Sequence, residues 1–236
     1  MRLDRYLANL QYGTRSDVKK MIKANRVAIN GQKVRNGSVS VVPGATVTVD
    51  GKTVGGSLQV YYLMNKPSGV LTANSDAAQK TVLDLIAPAD RRPGLYPVGR
   101  LDKDTTGLLL LTNDGALGHD LLSPKRHVPK TYLVSLAAAL TPAMADQLAE
   151  GITFQEFTSA PATVAVRPGS EGRLIELTIH EGKFHQVKRM LKAVGNQVTD
   201  LQRIQMGPLH LPASLPSGQY RKLTEAELAA LLEAKK

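Results

Sequence analysis

The sequence predicts an α+β protein in which a small basic domain precedes a larger domain with a mostly antiparallel mixed sheet flanked by helices. Helix-like and strand-like patterns alternate along the chain without the regular repeat of βαβ units. A Gly-Gly-Ser break at 55–57 separates a strand-like alternation at 45–49 from a new apolar run at 60–64. We therefore expect one domain at residues 1–58 and a second at residues 59–236.

Positive charge is concentrated in the first of these domains. The 236 residues include 30 Lys and Arg against 20 Asp and Glu, a net charge of +10. Residues 1–58 hold 10 basic and 3 acidic residues, which accounts for +7 of that charge. A basic surface attracts polyanions, and nucleic acid is the commonest polyanion in a cell.

Cysteine is absent, which excludes a disulfide scaffold, Cys-ligated zinc, iron–sulfur ligation and a thiol nucleophile. The chemistry must come from carboxylates, amines, hydroxyls or His. No apolar run approaches the roughly 18–20 residues of a membrane span, and charges interrupt the first ten residues. We expect a soluble, cytoplasmic protein.

The first domain begins with a capped helix and a small sheet. Thr14 is typical of an N-cap with Asp17 at the third helical position, and the following residues give the helix one apolar face. Short strands are expected at 27–29 and 33–34, joined by the Asn-Gly turn at 30–31.

The other face of this helix is basic, because Arg15, Lys19 and Lys23 recur at steps of four and Arg26 follows just past its end. Such a stripe either binds phosphates or is an ordinary solvated face. The stretch LDRYLANLQYGTRSDVKKMIKANRVAINGQKV resembles the S4 RNA-binding domain, over residues 1 to about 50. The resemblance implies two helices and a small sheet that present the basic face to structured RNA.

Elements of the second domain follow from apolar periodicity. Strands are expected at 60–64, 108–112, 130–136, 162–167, 173–180 and 197–206. Helices are expected at 81–86, 115–122, 142–149, 185–194 and 224–233.

Polar residues crowd at 99–107 (GRLDKDTTG), directly before the apolar strand at 108–112, and a loop on a buried strand is a favoured place for a functional site. Asp102 is a carboxylate beside that strand. It either pairs with Arg100 or Lys103, caps the turn, or carries chemistry.

Other motifs that this region suggests fail on their neighbours. An EF-hand needs Glu where Asn113 stands. A dehalogenase-type phosphatase motif should end an apolar strand, yet Tyr-Pro-Val-Gly-Arg at 96–100 precedes it. A Walker loop has the wrong glycine spacing at 44–53. The five His residues lack the close pairing that metal ligation favours, so we expect no metal site.

A second polar stretch lies at 179–192, and its helix divides into two stripes. The apolar stripe consists of Val187, Met190, Leu191 and Val194. The basic stripe consists of His185, Lys188, Arg189 and Lys192. The basic stripe either holds RNA phosphates, places a cation against a buried carboxylate, or is solvated.

Taken together, NKPSGV at 65–70, GRLDKDTTGLLLLTNDG at 99–115, KTYLV at 130–134 and EGKFHQVKRM at 181–190 resemble the RsuA-type ribosomal RNA pseudouridine synthases. The resemblance covers essentially the whole chain. It implies conversion of a uridine already present in ribosomal RNA to its C-glycoside isomer, without cofactor or metal.

The resemblance also assigns roles to residues. Asp102 is the family's essential carboxylate, which attacks or stabilises ribose C1′ of a flipped-out uridine. Tyr132 stacks on the base and assists loss of the C5 proton, and Lys188 pairs with Asp102 in a water-poor pocket and keeps it ionised. Lys188 stands where Arg is common among related synthases. Beyond these roles, we expect Arg100, two residues before Asp102, to fill the space that the flipped base leaves.

The expected RNA contacts are basic residues in both domains: Arg15, Lys19, Lys23, Arg26, His185, Arg189 and Lys192. The expected partner is ribosomal RNA, and 121–132 looks more like the small-subunit enzymes, which favours small-subunit rRNA or its assembly particle. We expect a monomer. Two alternatives stay open: a large-subunit rRNA synthase, and a non-catalytic RNA-binding or ribosome-assembly protein in which Asp102 and Lys188 form a structural ion pair.

Overall fold

A computed structural model describes residues 1–54, 58–123 and 128–233. Two predicted features lie outside the described residues. They are the Gly-Gly-Ser break at 55–57 and residues 124–127, which belong to the stretch 121–132 that favours the small subunit.

The chain divides into two compact units. The first comprises Met1–Val60 and Ala87–Gly94, and the second comprises Tyr61–Ile86 and Leu95–Lys236. The predicted boundary between residues 58 and 59 stays a prediction. No feature of the sequence assigned Ala87–Gly94 to the first unit.

The described part of the first unit contains two α-helices, α1 Leu3–Asn9 and α2 Arg15–Lys23, and a 3₁₀ helix at Pro88–Asp90. Its strands are β1 Val27–Ile29, β2 Gln32–Lys33, β3 Val47–Val49 and β4 Lys52–Thr53. They form a small antiparallel sheet with the order β2-β1-β3-β4.

The predicted basic helix is α2, and its start is determined by local hydrogen bonds. The Thr14 hydroxyl accepts a bond from the Asp17 amide, and the Asp17 carboxylate accepts one from the Thr14 amide, which completes a capping box. Val18 and Ile22 are buried against the small sheet's apolar residues. The opposite face, with its lysines and Arg15, is exposed.

The second unit is built on a nine-stranded sheet, counted over the described residues. Its strands are β5 Tyr61–Lys66, β6 Tyr96–Pro97, β7 Thr106–Thr112, β8 Lys130–Leu136, β9 Thr163–Val166, β10 Leu174–Ile179, β11 Val198–Met206, β12 Leu209–His210 and β13 Tyr220–Lys222. Its α-helices are α3 Gly115–Leu122, α4 Pro142–Glu150, α5 Gln186–Ala193 and α6 Glu225–Glu233. None of the described helices is long and apolar enough to cross a membrane.

The sheet order is β13-β5-β7-β11-β8-β10-β9, with β6 paired to β7 and β12 paired to β11. Only β7 and β11 pair in parallel among the described strands. This confirms the α+β prediction and the mostly antiparallel mixed sheet. The helix predicted at 81–86 is a short 3₁₀ helix, Val82–Leu85, because the chain is already extended at Ile86 and Pro88 disfavours a helical backbone at Ala87 before it. The short strands β6, β12 and β13 were not predicted.

Gly107 permits the parallel pairing that joins the two halves of the sheet. Its backbone has φ +99°, and a Cβ at this position would lie 2.3 Å from the Arg203 carbonyl oxygen of β11. Any larger residue would therefore push β11 away from β7. Because β7 begins four residues after Asp102, this close approach brings the predicted loop next to β11 and β8.

Candidate active site

Asp102 lies in the loop that leads into β7, at a pocket on the sheet. The pocket has a volume of about 390 Å³, of which part is open to solvent. Tyr132, Thr105 and Ile179 are among its lining residues. The Asp102 side chain is 25% exposed, so its carboxylate is accessible to a ligand while Leu101 beside it is buried. The structure thus brings the predicted carboxylate and the predicted Tyr132 to one pocket.

The loop is held in place by Lys66, the last residue of β5. Its ammonium group donates hydrogen bonds to the carbonyl oxygens of Pro67 at 3.0 Å, Lys103 at 3.1 Å and Thr105 at 2.9 Å. The residue is fully buried, and burial lowers the pKa of Lys66 to about 8, while Asp104 and Asp102 act in the opposite direction. A charged group with three donors thus matches three carbonyl acceptors at one point.

Thr72 fixes the other side of the loop. Its hydroxyl donates to the Leu101 carbonyl at 2.8 Å and lies 3.2 Å from the Leu101 amide, from which it accepts. The amide of Gly69 donates to the Lys103 carbonyl at 2.8 Å. The backbone on both sides of Asp102 is therefore anchored, so the carboxylate does not depend on its own contacts for its position.

Lys188 of α5 reaches this loop, but its main partner is not the predicted one. Its Nζ donates to both carboxylate oxygens of Asp104, at 2.6 and 2.8 Å, and lies 3.5 Å from Asp102 Oδ2. The Lys188 ammonium holds the pKa of Asp104 below its ordinary value. The Lys188 cation is thus shared between two carboxylates. The expected water-poor pocket is more open to solvent than predicted, since Asp104 is 70% exposed.

His185, predicted as an RNA contact, belongs to the same cluster. Its Nε2 lies 3.5 Å from Asp102 Oδ1. It caps α5 with a left-handed backbone, φ 50°, a conformation that costs free energy in a residue other than glycine and is often found at functional sites. Asp102 is therefore flanked by an imidazole on one side and an ammonium on the other.

The two remaining residues of the predicted basic stripe, Lys192 and Arg189, differ in their contacts. Lys192 is exposed and lines a groove together with Lys188. Arg189 is engaged within the protein: its guanidinium bonds Glu156 at 2.7 Å and lies 4.5 Å from the ring centre of Phe154. An RNA contact by Arg189 stays a prediction, and it would have to compete with this intramolecular ion pair.

Tyr132 lies in β8, 7% exposed and opposite Arg203 of β11. Arg203 is almost fully buried and donates from Nε to the Leu108 carbonyl at 2.8 Å. Burial, and then the charge of Arg203, lowers the pKa of Lys130 to about 8. Two buried cations thus lie close to Tyr132: Lys130 on the same strand and Arg203 on the paired strand β11.

The other predicted residues lie at the surface. Arg100 is exposed and lines both the pocket and a second groove, which Asp102 and Lys103 also line. In the first unit, Arg15, Lys19 and Lys23 are exposed, while Arg26 is bonded to Asp50, with Nε 2.8 Å from Oδ1. Within the described ranges, no three His, Asp or Glu side chains are grouped as metal ligands would be.

Sequence reasoning missed Lys66 and Asp104. Each had a signal: Lys66 ends a strand whose other residues are largely apolar, and Asp104 follows Asp102 at a spacing of two in a short loop. Neither signal identifies a partner, because the carbonyls that Lys66 binds and the ammonium that Asp104 binds come from distant parts of the chain.

Both parts of the chain are similar to known proteins. Residues 60–193 match the RNA pseudouridylate synthase family, and residues 1–47 match the S4 domain. The chain belongs to the RNA pseudouridylate synthase family. It is therefore an isomerase that acts on RNA, with an S4 domain at its N-terminus, as the sequence predicted.

Relatives match this synthase over nearly its whole length. An uncharacterized RNA pseudouridine synthase of Bacillus subtilis, YtzG, is 47% identical over 99% of both chains. Ribosomal small subunit pseudouridine synthase A of Escherichia coli is 38% identical over 98% of this chain and 100% of its own. A crystal structure of a pseudouridylate synthase is 37% identical, covers 98% of this chain and 99% of its own, and has a TM-score of 0.68.

Because Lys188 contacts both Asp102 and Asp104, we expect its removal to lower activity much more than stability. Lys188→Met leaves Asp102 and Asp104 facing each other without that cation, so we expect the rate of C5 tritium release from labelled RNA to fall by about 10²-fold. The free energy of unfolding should change by less than about 1 kcal/mol, because Asp104, which makes the shorter ion pair with Lys188, is largely exposed.

Asp104→Asn is the matched control for this prediction. It leaves Lys188 with Asp102 as its remaining anionic partner, and most of the activity should persist. Equal losses in the two variants would show that the cation serves Asp104 and not Asp102.

Proposed function

We propose that this synthase converts a uridine of small-subunit ribosomal RNA to pseudouridine and that Asp102 is the carboxylate at which the ribose reacts. The observation that carries the proposal is the position of Asp102: a partly exposed carboxylate, 3.5 Å from both Lys188 and His185, at a pocket that Tyr132 also lines. Similarity over nearly full length to the E. coli small-subunit enzyme supports the choice of RNA.

The reaction breaks the N1–C1′ bond of the uridine, turns the freed uracil and forms a C5–C1′ bond. The C5 proton leaves and N1 gains a proton, so substrate and product have the same composition. Positive charge develops at C1′ as the first bond breaks, and the Asp102 carboxylate either stabilises that charge or bonds C1′ directly. The Lys188 ammonium lies 3.5 Å from Asp102 during this step.

One carboxylate is enough for such a reaction. A glycoside hydrolase needs a second carboxylate to activate water, whereas an isomerisation returns the same base to the same sugar. Asp104, the nearby candidate for a second carboxylate, is bonded to Lys188 through both oxygens. Asp104 is therefore already engaged and is not the second carboxylate of a hydrolase.

Tyr132 and Arg100 complete the scheme. Tyr132, as part of the pocket wall, offers a ring on which the uracil stacks while it turns, and a hydroxyl near the base to assist loss of the C5 proton. The target base must leave its stack to reach Asp102, at a cost of a few kcal/mol in a duplex. Arg100 is exposed at the pocket rim and is placed to fill the vacated position.

The direct test is tritium release from C5-labelled uridine in unmodified small- and large-subunit rRNA and in their assembly particles, followed by mapping of the modified position. We expect release from small-subunit rRNA or its particle alone, and its loss in Asp102→Asn with the circular dichroism spectrum unchanged. Release from large-subunit rRNA would overturn the choice of RNA, and turnover by Asp102→Asn would overturn the role of the carboxylate.

The exposed face of α2 should determine RNA affinity. Replacing Arg15, Lys19 and Lys23 together by Ala should reduce the slope of log K against log salt by about 2–3 units, since each phosphate contact adds about one unit. Arg26→Ala is the control and should change the slope less, because Asp50 already compensates the Arg26 charge. The measurement is filter binding of rRNA over a salt series, and equal slopes for the triple variant and the wild type would remove this face from the RNA contacts.

A further inference from the structure

Phe184 is exposed to a degree that the fold does not explain. Among the residues that the structure describes, it is the most exposed large apolar side chain, at 74%. It lies in the segment between β10 and α5, next to His185. A ring in that position loses the free energy of burial that would accompany a place in the core, so its position calls for a ligand that covers it.

The ring is held in a defined orientation by its neighbour. Phe184 and His185 stack with centroids 3.8 Å apart and planes inclined by 18°. His185 in turn lies 3.5 Å from Asp102. A chain of contacts thus connects the exposed ring to the carboxylate, and since His185 covers one face of the phenyl ring, the other face is left open to solvent.

The surroundings of the ring suit a nucleic acid strand. Phe184 and His185 line a groove of about 1040 Å³ of empty space, including the part open to solvent, which adjoins Asp102. Arg100, Lys103 and Lys183 line the same groove. An aromatic platform beside several cations is the arrangement by which proteins hold an unpaired base and its phosphate.

We infer that Phe184 is a substrate-binding residue on which a base adjacent to the target uridine stacks. The inference rests on Asp102 as the place where the uridine reacts, because only then does the groove receive the neighbouring nucleotides. Stacking there would keep the strand open on one side of the flipped uridine and would favour sites whose neighbour is a purine, the larger base.

A binding cycle tests this contact without turnover. The full chain carries Asp102→Asn throughout, and the second change is Phe184→Leu, which keeps an apolar side chain without a ring, or Phe184→Tyr, which keeps the ring. The RNA is a fragment that spans the mapped uridine, with each neighbouring base in turn intact or replaced by an abasic ribose. Dissociation constants are measured by fluorescence anisotropy.

With Phe184 present, we expect one of the two abasic replacements to weaken binding by about tenfold. With Phe184→Leu the same replacement should have almost no effect, and with Phe184→Tyr the effect should return. Non-additivity of this kind reports a direct contact. If the losses from Phe184→Leu and from both abasic sites simply add, no adjacent base stacks on Phe184, and its ring serves another partner.

The test is independent of which RNA is the substrate. A mapped uridine in large-subunit rRNA would overturn the small-subunit proposal, yet the same cycle would run on that fragment. If no rRNA is modified, the proposed function fails, and the cycle is run on a short single-stranded RNA with one uridine, where additive losses still overturn the stacking contact.

Discussion

The site depends on the Lys66 ammonium and the three carbonyls that it binds. Two of these carbonyls, of Lys103 and Thr105, belong to the loop that carries Asp102, and a buried ammonium is the side-chain group that offers three donors at one point. Burying it is unfavourable, since desolvation lowers its pKa to about 8. Because the cation costs free energy to bury, its presence at this position is best explained by the loop geometry that it imposes.

From this anchored loop the electrostatics of the site follow. Asp102 and Asp104 project from a fixed backbone toward α5, where Lys188 contacts both and His185 contacts Asp102. The capping residue His185 adopts a strained backbone to take this place. Lys188 is shared between the two carboxylates, and the Asp102 carboxylate lies close to this cation and is still 25% exposed.

Much of this architecture could be predicted from sequence, and the limits have physical causes. The α5 stripes, the α2 cap and the strand at 130–136 follow from local periodicity and hydrogen bonding, and the structure contains all three. Short elements such as β6, β12 and β13 escaped, since two or three residues carry no periodic signal. The partners of Lys66 and the contact of Lys188 with Asp104 also escaped, because they depend on tertiary contacts between distant segments. Asp102 itself was found through its position before an apolar strand and through family resemblance.

The position of Asp102 depends on Lys66, and one measurement tests this dependence directly. Lys66→Met would be compared with the wild type by hydrogen exchange of the peptide that spans 101–106 and by the rate constant for pseudouridine formation. We expect faster exchange in that peptide, unchanged protection of the core of β7, RNA affinity like that of the wild type, and a rate lower by about 10²-fold. Wild-type exchange at 101–106 together with a wild-type rate would contradict the account.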